Sequence, residues 1–340
     1  MRQLAKAWAY EMGMIGPGEI ALWSEPWFDG MDLALFAANT HPDAAREEIT
    51  LVTLWDVWAF SVDDFFYRTF KQRSDLLGAK VFIARMPLFM PADGVGMPPP
   101  SNPVERGLID LWVRTAPRMP EAFRREFPKH VVDYAAGGIW ELQNVMQDRL
   151  PDPVDYVEMR RRTAGTGLSS ALARFSMGPD IPAKLFDHPT MRALTGAFAD
   201  SVDFRNDIFS YEKEISREHE INNAVLVFRR FLEIGLNEAV DLVNRLLTAR
   251  LQQLEQIAAA ELPVMFDALA LDEKARTRIL AYVRHLEDWS AGDLQWYLKT
   301  RRYEAPAPRC SLLGPTGLGT SSARLVLAGR SPKSSPSSGN

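Results

Sequence analysis

Apolar residues along this chain recur at steps of three and four, which is the spacing of amphipathic helices. No segment alternates apolar and polar positions between hairpin signals, so the pattern does not predict strands. It predicts an all-α fold of about ten helices. The clearest of them cover residues 47–75, 102–117, 121–150, 153–176, 190–215, 222–232, 236–262 and 272–300.

Glycine and proline mark where the helical pattern stops. A Pro-rich loop occupies residues 90–103, and Gly165 and Gly167 interrupt the helix predicted over residues 153–176. The pattern predicts one domain over residues 1–304. Residues 305–340 are rich in Pro, Gly and Ser, so we expect a disordered tail there, the remnant of an interdomain linker.

Composition limits the class of protein. The 340 residues include nine Trp and eighteen Phe, which favours a large buried or cavity-lining aromatic surface. A net charge of -5 argues against a nucleic-acid-binding protein, and a single cysteine, Cys310, excludes disulfides and cysteine-based zinc sites within one chain. We see no signal peptide and no apolar run of the roughly 18 residues that span a membrane, so we expect a cytoplasmic protein.

The segment "NDIFSYEKE" carries oxygen ligands at helical spacing. Asn206, Ser210 and Glu214 are four residues apart, which places an amide, a hydroxyl and a carboxylate on one helix face. Mg²⁺ prefers such oxygen ligands and also accepts phosphate oxygens, and the neighbouring Lys213 is able to reach a phosphate. The alternative, a solvated polar face, stays open on this motif alone.

Two adjacent carboxylates, Asp63 and Asp64, lie in the aromatic run "WAFSVDDFFYRTF". Unpaired carboxylates in apolar surroundings are unfavourable, so Asp63 faces either solvent or the polar mouth of a cavity. Because a second helix also carries ligand side chains, we favour the position of Asp63 at the mouth of a cavity. Two facing helices of this kind are able to hold a cluster of Mg²⁺ ions that grips a diphosphate.

These motifs resemble those of bacterial class I terpene synthases. The family's aspartate-rich run corresponds to "DDFFY", and its second metal motif is complete as "NDIFSYEKE". Its diphosphate-sensing arginine corresponds to Arg160 in "EMRRRTAG", and its C-terminal Arg-Tyr pair to Arg302 and Tyr303 in "TRRY". The four features occur in the family's order.

The resemblance implies a helical bundle around a central active-site cavity. It implies three Mg²⁺ ions held by Asp63 and Asp64 on one side and by Asn206, Ser210 and Glu214 on the other. Donors to the substrate diphosphate are then Arg160, Lys213, Arg302 and Tyr303. In the family, the helix break is an effector region, here Ala164 or Gly165. Aromatic side chains that we expect to face the cation are Trp58, Phe60 and Phe65.

Further segments resemble the N-terminal half of germacradienol/geosmin synthases. This resemblance runs from about residue 5 to about residue 325 of the chain. They include "KAWAYEMGM", "LFAANTHPDA", "NPVERGLIDLW" and "GPTGLGTSSARL". The resemblance implies cyclisation of farnesyl diphosphate to germacradienol and germacrene D. The second half of those enzymes is absent here. Homodimers are common among similar enzymes, but the sequence leaves the oligomeric state open.

The chain departs from the family pattern at three places. Tyr67 and Arg68 stand where the family has an acid, and Arg68 repels Mg²⁺ unless it turns outward or reaches a diphosphate oxygen. Asp56, seven residues before Asp63, replaces an aromatic residue. We expect Asp56 to pair with a neighbour behind the cavity wall, the alternative being a carboxylate inside the cavity. The segment that precedes "KAWAYEMGM" in the family is missing or the start was assigned too late.

Three other functions stay open. A catalytically impaired synthase that still binds diphosphate is favoured by Arg68. A chain-elongating prenyltransferase shares the fold but normally has two aspartate-rich motifs, whereas this chain has one. An all-α interaction protein without chemistry leaves the paired ligand helices unexplained.

Overall fold

Fourteen α-helices make up most of the part of the chain that the computed structural model describes, which is residues 1–16, 21–93, 96–178 and 181–304. In chain order they are α1 Arg2–Glu11, α2 Glu25–Met31, α3 Leu33–Thr40, α4 Arg46–Thr69, α5 Leu76–Arg85, α6 Pro103–Thr115, α7 Glu121–Met146, α8 Pro153–Thr163, α9 Thr166–Met177, α10 Pro189–Tyr211, α11 Ala224–Phe231, α12 Leu236–Gln256, α13 Leu262–Ala268 and α14 Glu273–Tyr297.

The all-α prediction is confirmed. Within the described ranges the only β pairing is an isolated bridge between Ile15 and Trp23. The prediction of about ten helices was too low, because α1, α2, α3 and α5 are short, at 7 to 10 residues. Helices of that length are not stable alone and depend on tertiary packing, which a local pattern does not report.

Two helices continue into wider π-helical turns. Glu212–Arg217 follows α10 directly, and Ile257–Glu261 follows α12. π-helical turns are rare and frequently occur at functional sites. The first of them contains Lys213 and Glu214, so the second predicted metal motif runs from α-helix into π-helix.

Helix α4 is apolar on nearly every face and lies in the middle of the fold. Its first turn carries Glu47 and Glu48 and its last turn carries Arg68, an order of charges that suits the helix dipole. Trp55 and Trp58 are fully buried, and Trp55 packs edge-on against Phe127 of α7. Burial of large aromatic side chains gives several kcal/mol of stabilisation, about 1.5–3 kcal/mol for each.

A close contact fixes the last long helix, α14, against α3. A Cβ atom at Gly292 would lie 2.1 Å from the carbonyl oxygen of Asn39, so only glycine allows this approach. The contact brings the C-terminal end of α14, and with it Arg302 and Tyr303, towards α4.

A second apolar cluster anchors α10. It joins Tyr156 of α8 and Phe204 of α10 to Val225 of α11 and Val243 of α12. Because helices from three directions hold α10, the metal motif at its C-terminal end has a fixed position.

Residues Met1–Tyr303 form one compact unit. The tail predicted over residues 305–340 lies outside the described residues, so its disorder stays a prediction. No helix in the described part of the chain is both long and apolar enough to cross a membrane.

Candidate active site

A cavity opens between the C-terminal parts of α4 and α10 and the C-terminal end of α14. It contains about 1220 Å³ of empty space, including solvent at its mouth. Charged groups gather at one end, while aromatic and aliphatic side chains line the rest. The charged residues at that end are Asp63, Lys71, Glu141, Arg160, Lys213, Glu214, Glu218, Glu220 and Arg302. The rest of the wall contains two further acids, Asp56 and Asp293, and apolar residues that include Phe36, Phe60, Leu168, Leu172, Val202, Trp289 and Trp296.

The two aspartates of α4 share one arginine. The guanidinium of Arg302 donates two 3.0 Å hydrogen bonds to the carboxylate of Asp64 and one, also 3.0 Å, to Asp63. Asp64 also accepts a 2.6 Å bond from the indole of Trp23. The side chain of Asp63 is 54% exposed and lines the cavity, whereas that of Asp64 is 14% exposed. Asp63 is therefore the carboxylate that is free to take a further ligand.

Arg302 changes the acidity of this side of the cavity. Burial alone raises the pKa of Asp64, but the charges of Arg302 and Lys213 and the hydrogen bonds from Arg302 and Trp23 lower it to about 2. Asp64 is thus a fixed carboxylate whose charge is balanced inside the protein.

Arg68, the cation in the aspartate run, turns outward. It is exposed, and its Nη1 atom donates a 3.2 Å bond to the backbone oxygen of Ala21. It does not line the cavity. The expected repulsion between Arg68 and bound Mg²⁺ is therefore weak, because an exposed charge is screened by water and salt.

The second metal motif lies on the opposite wall. Asn206 and Glu214 line the cavity. Ser210, which lies between them in the sequence, is buried. The Oδ1 atom of Asn206 accepts a 2.6 Å bond from Arg160, and the Oε2 atom of Glu214 accepts a 2.9 Å bond from Asn223. The hydroxyl of Ser210 has no hydrogen-bond partner among the described residues.

These three side chains suit a divalent cation. Burial and the charge of Asp207 raise the pKa of Glu214 to about 7, although Arg160 and Lys213 lower it. A buried hydroxyl without a partner and a carboxyl that no ion pair in the described chain neutralises are the donors that a hard cation satisfies. No group of three or more His, Cys, Asp or Glu in the described residues is able to hold a metal, so the set depends on Asn206 and Ser210.

Arg160, the predicted diphosphate sensor, is held by an acid that the sequence analysis missed. Asp207 is fully buried and lies 2.7 Å from the Arg160 guanidinium. It also accepts bonds from the Tyr156 hydroxyl at 2.5 Å and from the backbone N–H of Ala224 at 2.9 Å. Its place beside Asn206 in the motif is the signal that could have identified it. Asp207 orients Arg160 towards the cavity.

The other predicted diphosphate donors also reach the cavity. Lys213 is buried, and its ammonium lies 2.7 Å from Glu218. Tyr303 lines the cavity with Tyr297, and the side-chain amide of Asn206 donates to both hydroxyls, at 2.7 Å for Tyr297 and 3.3 Å for Tyr303. The structure thus brings Arg160, Lys213, Arg302 and Tyr303 around one end of the cavity.

The helix break predicted at Gly165 and Gly167 occurs at Ala164 and Gly165, between α8 and α9, whereas Gly167 lies inside α9 and does not interrupt it. Gly165 has a φ of +77°, and a Cβ atom there would meet the ring of Tyr134 at 2.8 Å. Both facts require glycine. Thr163, Ala164 and Gly165 line the cavity, so the predicted effector region lies in the cavity wall.

Of the three aromatic residues predicted to face the cation, only Phe60 lines the cavity. Trp58 is fully buried and donates to the backbone of Val104, and Phe65 packs against Phe70 and Phe82. The prediction was wrong for Trp58 and Phe65, because they lie on other faces of α4 than Asp63. Their distance from Asp63 in helical steps could have separated them from Phe60.

Asp56 does not pair behind the wall, so our expectation for it was wrong. It lines the cavity, is 7% exposed, and its Oδ2 atom has no hydrogen-bond partner in the described chain. Burial raises the pKa of Asp56 well above its usual range. The alternative, a carboxyl group inside the cavity, is the observed arrangement.

The sequence analysis also missed a lysine at the cavity wall that lies between two glutamates. Lys71 lies 2.7 Å from Glu141 and 2.5 Å from Glu220. Glu220 in turn accepts bonds from the backbone and side chain of Asn222. These residues come from three separate parts of the chain, so no local motif indicates them. The cluster joins the end of α4 to α7 and to the loop after α10.

The region of the chain that contains this site matches a known protein family. The family model described as terpene synthase family 2, C-terminal metal binding, matches residues 55–253. The chain belongs to this family. The matched region spans both ligand-bearing helices, from Asp63 to Glu214. The protein is therefore a terpene synthase with a divalent-metal-binding domain.

Relatives of known activity are terpene synthases of similar length. The 7-epi-alpha-eudesmol synthase of Streptomyces viridochromogenes is 28% identical over 309 residues, which cover 88% of this chain and 85% of the relative. The 4-epi-cubebol synthase of Streptosporangium roseum is 29% identical over 268 residues, 78% of this chain and 77% of the relative. Both names describe cyclisation of (2E,6E)-farnesyl diphosphate.

Solved structures confirm the class I terpene synthase fold. A crystal structure of a-eudesmol synthase superposes with a TM-score of 0.72 at 26% identity and covers 87% of this chain and 94% of that one. The linalool/nerolidol synthase of Streptomyces clavuligerus in complex with 2-fluorogeranyl diphosphate superposes with a TM-score of 0.74 at 22% identity. The match covers 87% of this chain and 96% of that one. At that identity the second likeness shows the fold alone.

Proposed function

We propose that this terpene synthase is a Mg²⁺-dependent sesquiterpene cyclase that ionises farnesyl diphosphate and cyclises the resulting cation. The observation that carries the proposal is the division of the cavity. Oxygen ligands on two facing helices and four diphosphate donors lie at one end, and aromatic side chains line the rest. Relatives named for cyclising farnesyl diphosphate support the same substrate.

Asp63, Asn206, Ser210 and Glu214 would hold the metal ions, three in our proposal, with Asp64 beside them. Bound Mg²⁺ supplies positive charge that stabilises the departing diphosphate. The chain's own donors, Arg160, Lys213, Arg302 and Tyr303, bind the diphosphate oxygens. In a cavity that excludes water, such preorganised donors stabilise developing charge most strongly.

In this structure, Arg160 and Arg302 donate hydrogen bonds to side chains that we propose as metal ligands. Arg302 donates to Asp63, and Arg160 donates to the Oδ1 atom of Asn206. A diphosphate offers both guanidinium groups an anionic partner of similar geometry. Binding of substrate therefore releases Asp63 and Asn206 for metal.

The remaining wall acts on the hydrocarbon part of the substrate. Phe60 lies under the Arg302 guanidinium, 4.8 Å from ring centre to charge, and packs edge-on against Trp296. Aromatic faces stabilise a cation by about 0.5–2 kcal/mol each. On the strength of the segments shared with germacradienol/geosmin synthases, we propose a germacradienol- or germacrene D-like product.

The test is incubation of purified protein with farnesyl diphosphate and Mg²⁺, followed by gas chromatography of the hydrocarbon extract. We expect terpene products that depend on Mg²⁺, and no products from Asn206→Ala. The matched control is Asn237→Ala, the same change at an exposed position of α12. Turnover that survives in Asn206→Ala contradicts the metal assignment at α10.

The same assay separates the other functions. An impaired synthase yields no hydrocarbon but shows Mg²⁺-dependent diphosphate binding in calorimetry. A prenyltransferase forms a longer diphosphate only when isopentenyl diphosphate is added. The support that Arg68 gave to the impaired enzyme is weaker, because its side chain points away from the cavity.

A further inference from the structure

Asp56 occupies a place in the cavity that the ionisation machinery does not use. It lies on α4 seven residues, or two turns, before Asp63, so the two side chains share one helix face. At a rise of 1.5 Å per residue, its backbone is about 10 Å deeper than that of Asp63. Phe60 lies between them on the same face and also lines the cavity. Asp56 therefore faces the part of the cavity that is proposed to hold the hydrocarbon.

The surroundings of Asp56 disfavour the charged form of its carboxyl group. Burial raises its pKa, and no ion pair reaches it in the described chain. The other acid in the inner wall, Asp293 of α14, pairs with Arg205 at 3.0 Å. Asp293 is thus held by a cation, whereas burial without a cation favours the protonated form of Asp56.

A neutral carboxyl group is compatible with carbocation chemistry in a way that a carboxylate is not. A carboxylate beside the first carbocation would capture it as an ester or take a proton from it before ring closure, whereas the protonated acid is a poor nucleophile. The acid is, however, able to give its proton to a carbon–carbon double bond. General acids of this kind are carboxyl groups whose environment holds the proton at working pH.

We propose that Asp56 is a proton-transfer residue that reprotonates a neutral cyclised intermediate and then removes a proton from the final carbocation. The proposal rests on the proposed cyclase function. It adds a proton relay at the far end of the cavity from the diphosphate.

The steps balance within one turnover. The first cyclic cation loses a proton to the released diphosphate, and the electron pair of that C–H bond forms a double bond. The π pair of a double bond in this neutral olefin then takes the Asp56 proton, leaving a new cation and the Asp56 carboxylate. The carboxylate removes a proton from a carbon next to the cation, which forms the last double bond and restores the acid.

The test follows the proton with deuterium. Wild-type protein is incubated with farnesyl diphosphate and Mg²⁺ in D₂O, and the products are analysed by gas chromatography with mass spectrometry. The Asp56 proton exchanges with solvent when product leaves, so we expect one deuterium in at least one major product, while a germacrene D-like olefin formed by a single deprotonation is expected without label. In Asp56→Asn we expect complete loss of this label and a shift to a singly deprotonated, less cyclised olefin. Substrate consumption continues, because ionisation occurs at the other end of the cavity.

Two further variants separate proton transfer from a structural role. Asp56→Glu keeps the acid and is expected to restore the label, whatever its product ratio. Asp203→Asn changes a buried aspartate that also lacks hydrogen-bond partners but does not line the cavity. It is expected to keep both label and products. Infrared spectroscopy gives a readout without turnover, because Asp56→Asn removes the carbonyl band of a protonated carboxyl group.

Each other outcome overturns the inference. Absence of deuterium from every hydrocarbon product of the wild type, or a label unchanged in Asp56→Asn, shows that Asp56 does not transfer the proton. Loss of the label in Asp203→Asn as well shows that a general disturbance, and not this residue, removes it. Absence of any hydrocarbon from the wild type contradicts the proposed function itself and the relay with it.

Discussion

The two walls of the cavity that carry the proposed metal ligands differ in how their charge is balanced. On α4, Asp64 is paired with Arg302 and has a pKa of about 2. On α10 and the turn that follows it, Glu214 has a pKa of about 7, and Ser210 has no hydrogen-bond partner in the described chain. The acid of one wall is paired with the protein's own cation, whereas the acid of the other wall has no ion-pair partner in the described chain.

The difference indicates how the site depends on its ligands. In the proposed function, a metal at the α10 wall would neutralise Glu214 and so contribute stability as well as chemistry. At the α4 wall the metal would compete with Arg302 for the same carboxylates. The substrate diphosphate would remove that competition, because it would provide Arg302 with another partner. The following predictions test this contrast.

The largest effect is expected for Glu214→Gln. The change keeps the shape of the side chain but removes the only carboxylate among the proposed ligands on α10 and the turn after it. We expect kcat/KM to fall by more than about 10²-fold, which exceeds the loss typical of residues that only orient metal ligands. Mg²⁺-dependent assay of farnesyl diphosphate turnover measures it. Glu212→Gln, an exposed position two residues away, is the control and is expected to be unaffected. Equal losses in both variants would contradict the assignment.

Arg302→Gln is expected to separate metal binding from catalysis. It removes a diphosphate donor, so we expect kcat/KM to fall by about 10²-fold. It also frees Asp63 and Asp64, so Mg²⁺ measured without substrate by calorimetry is expected to bind more tightly than to the wild type. Weaker binding of Mg²⁺ in this variant would mean that Arg302 positions the carboxylates and does not compete for them.

The two walls are expected to respond to pH in opposite directions in metal-free protein. The folded pKa of Glu214 is raised, so the folded state binds more protons than the unfolded state between about pH 4.5 and about pH 7, and stability falls as pH rises through that window. Asp64 has a lowered pKa, so its contribution is present above about pH 4 and is lost as pH falls towards 2.

Denaturant unfolding in EDTA measures this response. One pKa unit corresponds to about 1.4 kcal/mol, so we expect the free energy of unfolding to fall by an amount on the order of 1–3 kcal/mol between about pH 5 and about pH 7. Glu214→Gln is expected to lose part of this slope. The exposed control Glu212→Gln keeps all of it, and a slope identical in the two variants would assign the effect to another group. Added Mg²⁺ is expected to oppose the loss, since metal and proton compete for the carboxylate.

The smallest effect is expected for Arg68→Gln. Because Arg68 is exposed and turned away from the cavity, we expect kcat/KM to change by less than about threefold, in line with the small energies of exposed charges. Parallel assay with Arg302→Gln compares an arginine outside the site with one inside it. A large gain in activity would show that Arg68 impairs the enzyme.

The sequence predicted the features that depend on local spacing. Helical periodicity indicated the class of fold, and "DDFFY" and "NDIFSYEKE" supplied the oxygen-bearing side chains that we propose as metal ligands. The break at Gly165 was visible because only glycine adopts that backbone conformation without strain. Each of these follows from residues within a few turns of one another, and local geometry is what a sequence pattern reports.

Only the tertiary structure decided which face of each helix meets the cavity. Helix α4 is apolar nearly all round, so its pattern does not show that the face of Asp63 meets the cavity. Only when that face is known do helical steps separate Phe60 in the cavity wall from Trp58 in the core. Arg302 reaches Asp64 across 238 residues of sequence. Asp56 has no partner in the described chain because no cation of another helix arrives beside it. Pairing, burial and acidity arise from contacts between distant segments, and these depend on how all the helices pack together.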